Sequence, residues 1–261
     1  MPGQEHAPSA RVRNRMRQDF TFQISVDTDN VPQGLAVANA AITAGIDLIE
    51  IGTPLCKYEG VRNVVPIFRQ RFPEALILAD MKTMDGGAFE ARTVYEGGGN
   101  IIDFLALSGV DSAKAICAVR DEYREREPEM VRLAFADILV PQQGPLEHAV
   151  EVAQRMVDAG VDGVGLHLQL DARRADTSLW SSGMLGDVAR AVHAKVGDRV
   201  SVQVVGGLSI PQAQEIARDG LRAFVVSSNL GVHDSGARYG LPPEEITGLI
   251  RAFIEGVRGS Q

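Results

Sequence analysis

The segment LILADMKTMDGG, residues 76 to 87, ends an apolar run with two acidic residues, a lysine and two glycines. If residues 76–82 form a β-strand, the alternation of side chains places Asp80 and Lys82 on one face, and Asp85 follows in a loop. This pattern leaves two interpretations. Either the end of the strand is exposed to solvent and carries an ion pair of little energetic value, or an active site lies at the carboxyl end of a parallel strand.

Short β-branched runs alternate along the chain with longer segments whose apolar residues recur every three or four positions. A glycine able to end a helix, an aspartate and then a strand occur twice, in AGIDLIEIG at 44–52 and AGVDGVGLH at 159–167. This recurrence predicts a closed (β/α)8 barrel rather than an open doubly wound sheet. The predicted strands cover residues 20–27, 47–52, 75–82, 101–109, 131–139, 163–169, 201–207 and 223–229.

In such a barrel, catalytic groups come from the carboxyl ends of the strands and from the loops after them. Five of the eight predicted strands end with an ionisable group inside an apolar segment, which is hard to explain as chance. These groups are Asp27, Glu50, the set around Asp80, Asp137, and His167 with Asp171 beyond it.

Composition limits the classes of function. The chain of 261 residues is 45% hydrophobic, so it can bury the core of one barrel or of two small domains. A net charge of −8 argues against a nucleic-acid partner, because phosphate backbones are bound by clustered Lys and Arg. The sequence contains no apolar segment of the length that a membrane span needs, about 18 residues or more.

Residues 1–19 are predicted to be an N-terminal arm, and residues 20–261 a single barrel domain. The basic stretch RVRNRMR at 11–17 has no hydrophobic core of a secretory signal, and we interpret it as solvated. Cys56 and Cys117 stand in unrelated contexts without metal-binding spacing. A reducing, cytoplasmic location fits these two cysteines best.

Four motifs together resemble the 3-hexulose-6-phosphate synthase and 3-keto-L-gulonate-6-phosphate decarboxylase family, within the orotidine 5′-monophosphate decarboxylase superfamily. The resemblance extends from Gln23 to Asn229, and the stretch from Glu50 to Gly87 is its most specific part. The motifs are IEIGTPL, FPEALILADMKTMDGG, VGLHLQLD and VQVVGGLS.

The resemblance implies an enzyme that holds Mg²⁺ with Glu50 and Asp80 and stabilises an enediolate made from a sugar-phosphate ketone. Carboxylates on adjacent strands suit Mg²⁺, and cationic Lys82 would stabilise the developing negative charge. By the same resemblance, Asp85 helps to set the charge of Lys82 and reaches into the site of a neighbouring subunit. A homodimer with shared active sites is therefore expected.

Two further roles follow from the residue types and the resemblance. His167 is the natural proton carrier, and Asp27 is expected to form hydrogen bonds with substrate hydroxyls. Asp137 can serve catalysis or structural hydrogen bonding, and the sequence leaves both open.

Each assignment has a structural alternative. Glu50 and Asp80 could pair with surface arginines, and His167 could be a satisfied histidine inside the barrel. Asp171 is a weaker candidate, while Asp103, Asp111 and His193 are interpreted as ordinary surface or cap residues.

Two departures from the family pattern bear on the substrate. The sixth strand reads His167-Leu-Gln-Leu-Asp171, without the arginine of the decarboxylating branch, which favours the synthase branch. Gly206 and Gly207 match the phosphate-binding turn after strand seven, although a plain turn is the alternative. After strand eight, Ser227 and Ser228 replace the glycine pair or Gly-Arg of the family, so the anion site is modified or the substrate differs.

The first hypothesis is therefore a Mg²⁺-dependent aldolase that forms an enediolate from ribulose 5-phosphate and adds it to formaldehyde. The second is a related lyase, decarboxylase or epimerase acting on another sugar or sugar acid. The third is a non-catalytic barrel that serves as a scaffold. The sequence does not decide whether the stretch GVHDSGARYGLPPEE, after strand eight, forms a lid over the substrate or a long connection to the last helix.

Overall fold

A computed structural model describes residues 7–141, 145–181, 183–226 and 241–259. Eight parallel strands pair in chain order and close into a barrel, in which β1 pairs with both β2 and β8. The predicted (β/α)8 barrel is confirmed. The strands are β1 Thr21–Val26, β2 Leu48–Ile51, β3 Leu76–Thr83, β4 Ile101–Leu105, β5 Leu133–Val140, β6 Gly163–Leu168, β7 Ser201–Val205 and β8 Ala223–Val226.

Helices follow the strands around the outside of the barrel, and extra short helices follow β2 and β6. The helices are α1 Ala7–Gln18, α2 Val31–Ala44, α3 Thr53–Tyr58, α4 Val61–Arg71, α5 Gly87–Glu96, α6 Gly109–Arg126, α7 Leu146–Asp158, α8 Leu170–Ala175, α9 Ser178–Ser181, α10 Met184–Val196, α11 Ile210–Arg218 and α12 Pro243–Arg258. None of the helices in the described ranges is long and apolar enough to cross a membrane.

Two predicted strand ends lie two or more residues beyond the observed ends. The sequence predicts that the fourth strand reaches residue 109, but it gives way to a 3-10 turn at Ala106 and to α6 at Gly109. The seventh strand ends at Val205, before Gly206 and Gly207. The expected end of the eighth strand, residues 227–229, lies outside the described residues.

The repeated glycine-aspartate motif has a structural explanation. Gly45 adopts a left-handed φ of 93° and ends α2, and Gly160 has a φ of 102° just after α7. The aspartate of each repeat then binds a backbone N–H of the preceding strand: Asp47 accepts from Phe22 N at 3.0 Å, and Asp162 accepts from Ala134 N at 3.0 Å. Each motif therefore ends a helix and aligns the strand that follows.

The main core lies between the strands and the surrounding helices, and a second cluster fills the amino-terminal end of the barrel interior. Leu48, Leu78, Ile101 and Phe135 form this inner layer together with Met16 from α1. Above this layer, the inward residues become polar toward the carboxyl ends of the strands. The fold thus closes one end of the barrel with apolar side chains and lines the other end with polar ones.

The prediction of a solvated N-terminal arm is wrong for the described residues 7–18. These residues form α1, and Met16 is only 1% exposed. Ser9 exchanges hydrogen bonds with the backbone of Arg132, and Arg17 donates to the carbonyl of Gly197. The helix therefore covers the amino-terminal end of the barrel, because its buried methionine meets the apolar layer while its arginines reach polar groups around the rim.

We expect Met16→Ala to lower the free energy of unfolding by about 2–4 kcal/mol, because it opens a cavity in the closed end of the barrel. Ile42 on α2 is 41% exposed, so Ile42→Ala is the control and should change stability by about 0.5 kcal/mol or less. Urea unfolding followed by circular dichroism measures both variants. Equal changes in the free energy of unfolding for the two variants would contradict the conclusion that α1 closes the amino-terminal end of the barrel through Met16.

Candidate active site

A pocket of about 510 Å³ opens at the carboxyl ends of the strands. Most of the residues predicted from the sequence line it, although they are far apart along the chain. The predicted residues that the structure brings together here are Asp27, Glu50, Asp80, Lys82, Asp137, His167 and Gly206.

Lys82 lies at the centre of the acidic side of this pocket. Its Nζ is 2.6 Å from Oδ1 of Asp80 and 2.6 Å from Oδ2 of Asp137. Burial alone would lower the pKa of Lys82, but the nearby carboxylates of Asp137, Asp80 and Asp103 outweigh it and raise this pKa well above its usual value. The side chain is therefore held as an ammonium, a form that can stabilise negative charge but cannot accept a proton.

Simple strand alternation does not explain how Lys82 meets Asp80. The pairing of β3 with β4 shifts register between Asp80 and Thr83, and Lys82 has a φ of 47°. A left-handed conformation costs a residue with a Cβ about 1 kcal/mol or more, and such conformations cluster at functional sites. The ion pair with two carboxylates offsets this strain and keeps the ammonium in the pocket.

Asp137 connects Lys82 to His167. Nδ1 of His167 is 3.3 Å from Oδ2 of Asp137, the same oxygen that accepts from Lys82. Burial would raise the pKa of Asp137, but the charges and hydrogen bonds of Lys82 and His167 outweigh it and hold this pKa below its usual value. Because an ionised carboxylate only accepts, the contact places a proton on Nδ1, and Nε2 is the ring nitrogen that does not contact Asp137.

A glycine on the neighbouring strand makes space for Asp137. Gly165 pairs with Asp137 across β5 and β6, and a Cβ at Gly165 would collide with Oδ1 of this aspartate. Any larger residue at 165 would displace the carboxylate that contacts both Lys82 and His167. The glycine is thus a packing requirement of the site.

Glu50 is buried and belongs to a chain of polar groups across the barrel. Its Oε1 accepts from Ser25 Oγ at 2.8 Å, and its Oε2 accepts from Gln23 Nε2 at 2.6 Å. Gln23 in turn accepts from Nε2 of Gln203 at 2.9 Å. Burial, followed by the charges of Asp80 and Asp27, raises the pKa of Glu50 well above its usual value. This carboxylate is oriented by hydrogen bonds but has no cation in direct contact among the described residues.

Asp80 stands between Glu50 and the other acids. Its Oδ2 accepts from Thr53 Oγ1 at 2.6 Å, while its Oδ1 contacts Lys82. Oxygens of Asp80, Asp103 and Asp137 all lie within 4.8 Å of one another, which makes this a possible cation cluster. Glu50 is outside that group of three, so Asp80 is common to the predicted metal pair and to the observed cluster.

The interpretation of Asp103 as a surface or cap residue is wrong. Asp103 is 5% exposed, lines the pocket, and pairs in register with Asp80. Its Oδ1 is buried without a hydrogen-bond partner among the described residues, and burial followed by the charge of Asp137 raises its pKa well above the usual value. Alternation in IIDFL puts Asp103 on one face with Ile101 and Leu105, and that was the available signal.

Other predicted residues are placed away from the pocket lining. Asp85 is exposed, and its Oδ1 accepts from the N–H of Gly86 at 2.7 Å, so its predicted role stays a prediction. The side chain of Asp171 is 84% exposed, and Asp111 is exposed at the start of α6. His193 is partly buried in α10.

The predicted glycine turn follows β7. Gly206 lines the pocket with a φ of 138°, and Gly207 has a φ of 70°. A Cβ at Gly206 would come within 2.8 Å of the Cβ of Leu168, so both conformation and space favour glycine there. Ser227 and Ser228 lie outside the described residues.

Two basic residues of the pocket were missed in the sequence. Arg173 and Arg174 on α8 line it, and Nη1 of Arg173 is 3.3 Å from the carbonyl oxygen of Gly206. The stretch LDARRA, directly after the strand that carries His167, contains both arginines. The family pattern predicts an arginine closer to His167, so this stretch was not interpreted as part of the site.

We expect Asp103→Asn to raise the melting temperature of chelator-treated protein by about 2–4 °C, equivalent to about 1 kcal/mol for a chain of this size. The amide removes a buried like charge without changing the shape. Since the folded-state pKa of Asp103 is raised, the gain is present at neutral and higher pH and is lost as the pH falls toward about 4.

Asp111→Asn is the matched control for that substitution, because Asp111 is exposed in the first turn of α6. Its neutralisation should leave the melting temperature unchanged or lower it slightly. Differential scanning calorimetry from pH 4 to pH 9 measures both variants. A lower melting temperature for Asp103→Asn across that range would mean that the ionised carboxylate stabilises the protein.

Comparisons with known proteins agree on the family. The sequence profile of the orotidine 5′-phosphate decarboxylase / HUMPS family matches residues 21–228. A 3-hexulose-6-phosphate synthase of Methylomonas aminofaciens is 26% identical over 230 residues, covering 88% of this chain and 98% of that protein. A 3-keto-L-gulonate-6-phosphate decarboxylase of Salmonella typhi is 26% identical over 189 residues, covering 72% of this chain and 78% of that protein.

Solved structures show the same fold. A crystal structure of a 3-hexulose-6-phosphate synthase has a TM-score of 0.72 at 22% identity and covers 89% of this chain and 99% of its own. A crystal structure of KGPDC from Streptococcus mutans has a TM-score of 0.68 at 21% identity, with 93% and 99% covered. The match of the family profile to most of the barrel carries the conclusion: this chain belongs to the orotidine 5′-phosphate decarboxylase / HUMPS family.

Proposed function

We propose that this protein is a Mg²⁺-dependent carbon–carbon lyase of the 3-hexulose-6-phosphate synthase type. It forms an enediolate from D-ribulose 5-phosphate and adds it to formaldehyde, or catalyses the reverse cleavage. The observation that carries the proposal is the ammonium of Lys82, fixed between Asp80 and Asp137 in a pocket that also contains Glu50 and His167. A fixed cation beside acids and a histidine suits the formation of an enediolate.

Glu50 and Asp80 are the proposed ligands of Mg²⁺, and the structure supports their fit. Both carboxylates are buried, line the pocket and come from adjacent strands. The pKa of Glu50 is raised by burial and by Asp80, and a divalent cation would relieve this repulsion. Mg²⁺ bound there would supply a Lewis acid for the oxygens of the substrate.

The other residues of the site have separate proposed roles. Lys82 would hold the negative charge that develops on the substrate, because its raised pKa keeps it protonated. His167, with Nδ1 directed to Asp137, would move a proton through Nε2. Asp27, whose Oδ2 lies 3.1 Å from Ser25 Oγ and which lines the pocket, would bind substrate hydroxyls.

The synthase branch is favoured over the decarboxylating branch by the sixth strand. Leu168, Gln169 and Leu170 follow His167, so no side chain of this short segment offers a guanidinium next to the histidine. A second candidate function keeps the enediolate but acts on another sugar or sugar acid as a decarboxylase or epimerase. It is favoured by Ser227 and Ser228, which replace the glycines expected at the anion site.

A cytoplasmic homodimer with one barrel domain over residues 20–261 is part of the proposal. Large apolar side chains are exposed around the segment that carries Asp85, including Met84 at 53% and Phe89 at 69%. Exposed apolar groups of this size often mark an interface. Both cysteines are reduced and buried, which suits the cytoplasm.

Protein loaded with Mg²⁺ should exchange the C1 protons of ribulose 5-phosphate in D₂O and, with formaldehyde, give a new product in NMR spectra. Glu50→Gln and Lys82→Ala should each lower the exchange rate at least about 100-fold, because each removes charge stabilisation from the reacting centre. Glu122→Gln and Lys114→Ala, both on α6 away from the pocket lining, are matched controls that should retain full rates.

The outcomes separate the candidates. Exchange without a formaldehyde-dependent product rejects the synthase reaction and favours the second candidate. No exchange by folded protein that binds Mg²⁺ rejects ribulose 5-phosphate as the substrate and leaves the second candidate, which acts on another sugar or sugar acid. Full activity of Lys82→Ala would contradict the proposed mechanism.

Shared active sites predict complementation between inactive variants. In an equal mixture of Lys82→Ala and Asp85→Asn, random exchange of subunits makes half of the dimers mixed, and each mixed dimer has one intact site. About a quarter of the wild-type rate should therefore return. The matched control mixes Lys82→Ala with Glu50→Gln. Both of these residues belong to the subunit's own pocket, so each site of a mixed dimer keeps one defect and no activity should return.

Analytical ultracentrifugation of the same samples gives the oligomeric state directly. A monomer at working concentration would reject the homodimer. A dimer in which the mixture of Lys82→Ala and Asp85→Asn regains no activity would reject the proposal that Asp85 contributes to the site of the neighbouring subunit.

A further inference from the structure

Asp103 has a buried oxygen that has no partner within the part of the chain that the structure describes. Its Oδ1 forms no hydrogen bond there, and the side chain is only 5% exposed. The ion pairs of Lys82 join its ammonium to Asp80 and Asp137, and not to Asp103. Buried polar atoms are rarely left unpaired, because they lose their hydration and gain no bond in return. The oxygen can receive a hydrogen bond if the ammonium changes its partner.

The backbone brings Lys82 close to this oxygen. Asp80 pairs with Asp103 between β3 and β4, and the register then shifts, so that Lys82 belongs to a bulge beside β4. Oxygens of Asp80, Asp103 and Asp137 lie within 4.8 Å of one another. A lysine side chain can exchange one such acceptor for another by rotation about its last bonds, without a movement of the strands.

A divalent cation would compete with Lys82 for Asp80, one of its two proposed ligands. Oδ1 of Asp80 accepts from Lys82 at 2.6 Å, and its Oδ2 accepts from Thr53 at 2.6 Å. A cation that binds this carboxylate must therefore share an oxygen with one of these donors or displace it. Mg²⁺ requires short contacts with oxygen and repels an ammonium, so its binding would weaken the contact between Lys82 and Asp80.

We propose that Asp103 is a positioning residue, which accepts the ammonium of Lys82 in place of Asp80 when a divalent cation binds. Lys82 keeps its contact with Asp137 and gains Oδ1 of Asp103, and its third N–H is left for the substrate. The inference rests on the proposed function for the cation at Asp80. It explains why a third buried acid lies beside a lysine that already has two acidic partners.

The test is a double-mutant cycle in which isothermal titration calorimetry measures the binding of Mg²⁺. The proteins are wild type, Asp103→Asn, Lys82→Met and the variant with both substitutions. Asp103→Asn should weaken Mg²⁺ binding at least about tenfold, because the ammonium then keeps Asp80 as its partner and competes with the cation. In the Lys82→Met background the same substitution should cost less than about threefold, because no ammonium has to change its partner.

This comparison separates positioning from direct attraction between Asp103 and the cation. If Asp103 acts on Mg²⁺ only through its charge, or binds it directly, its loss should cost as much in Lys82→Met as in wild type, and that result would overturn the proposal. Asp111→Asn is the matched control, because Asp111 is exposed in the first turn of α6. It should leave Mg²⁺ binding unchanged. Thermal melts establish that each variant is folded before affinities are compared.

Crystal structures of the wild-type protein with EDTA and with Mg²⁺ give a second measurement, which does not depend on the folding of any variant. With Mg²⁺ bound, Nζ of Lys82 should lie within about 3.2 Å of Oδ1 of Asp103 and no longer contact Asp80. An ammonium that stays on Asp80 while Asp103 remains unpaired would overturn the proposal.

The two levels of inference fail in different ways. Wild-type protein that binds no Mg²⁺ rejects the proposed metal-dependent function, and this inference with it. Wild-type protein that binds Mg²⁺ without coupling between Asp103 and Lys82 rejects the positioning role alone.

Discussion

The ion pair of Lys82 with Asp80 and Asp137 is the interaction on which the site depends. It joins β3 to β5 across the barrel mouth, compensates part of a dense group of carboxylates, and holds a backbone conformation that a lysine would otherwise avoid. Buried charges are costly unless they are paired in good geometry. The protein tolerates this arrangement because the charges form a connected set, in which Asp137 also contacts His167.

The buried charges, which are costly, lie at one end of the barrel interior, and the apolar packing that stabilises the fold lies at the other end. The amino-terminal end of the interior is apolar and close packed around Met16, while the polar groups begin with Gln23, Gln203 and Glu50 above it. Hydrogen bonds among these side chains satisfy groups that would be costly to bury alone. The polar layer can therefore vary in sequence while the apolar layer beneath it keeps the strands in register.

The sequence predicted the barrel well because β-branched runs and helix-ending glycines such as Gly45 and Gly160 are local signals. It placed Lys82 beside Asp80 correctly but for the wrong reason, since a register shift brings them together. Asp103 was missed because the alternation in IIDFL groups it with Ile101 and Leu105 but does not by itself say which face of β4 points into the barrel. Met16 was missed because a single apolar residue among arginines gives a weak helical pattern, and only the barrel interior supplies its partner.

The position of α1 has a practical meaning for handling the protein. Because this helix covers the end of the barrel opposite the pocket, a fusion or affinity tag placed ahead of Ala7 would lie on the side of the molecule away from the mouth of the pocket. Attachment to a solid support through such a tag would orient the mouth of the barrel toward the solution. Shortening the chain into α1 for the same purpose would instead remove Met16 from the barrel interior.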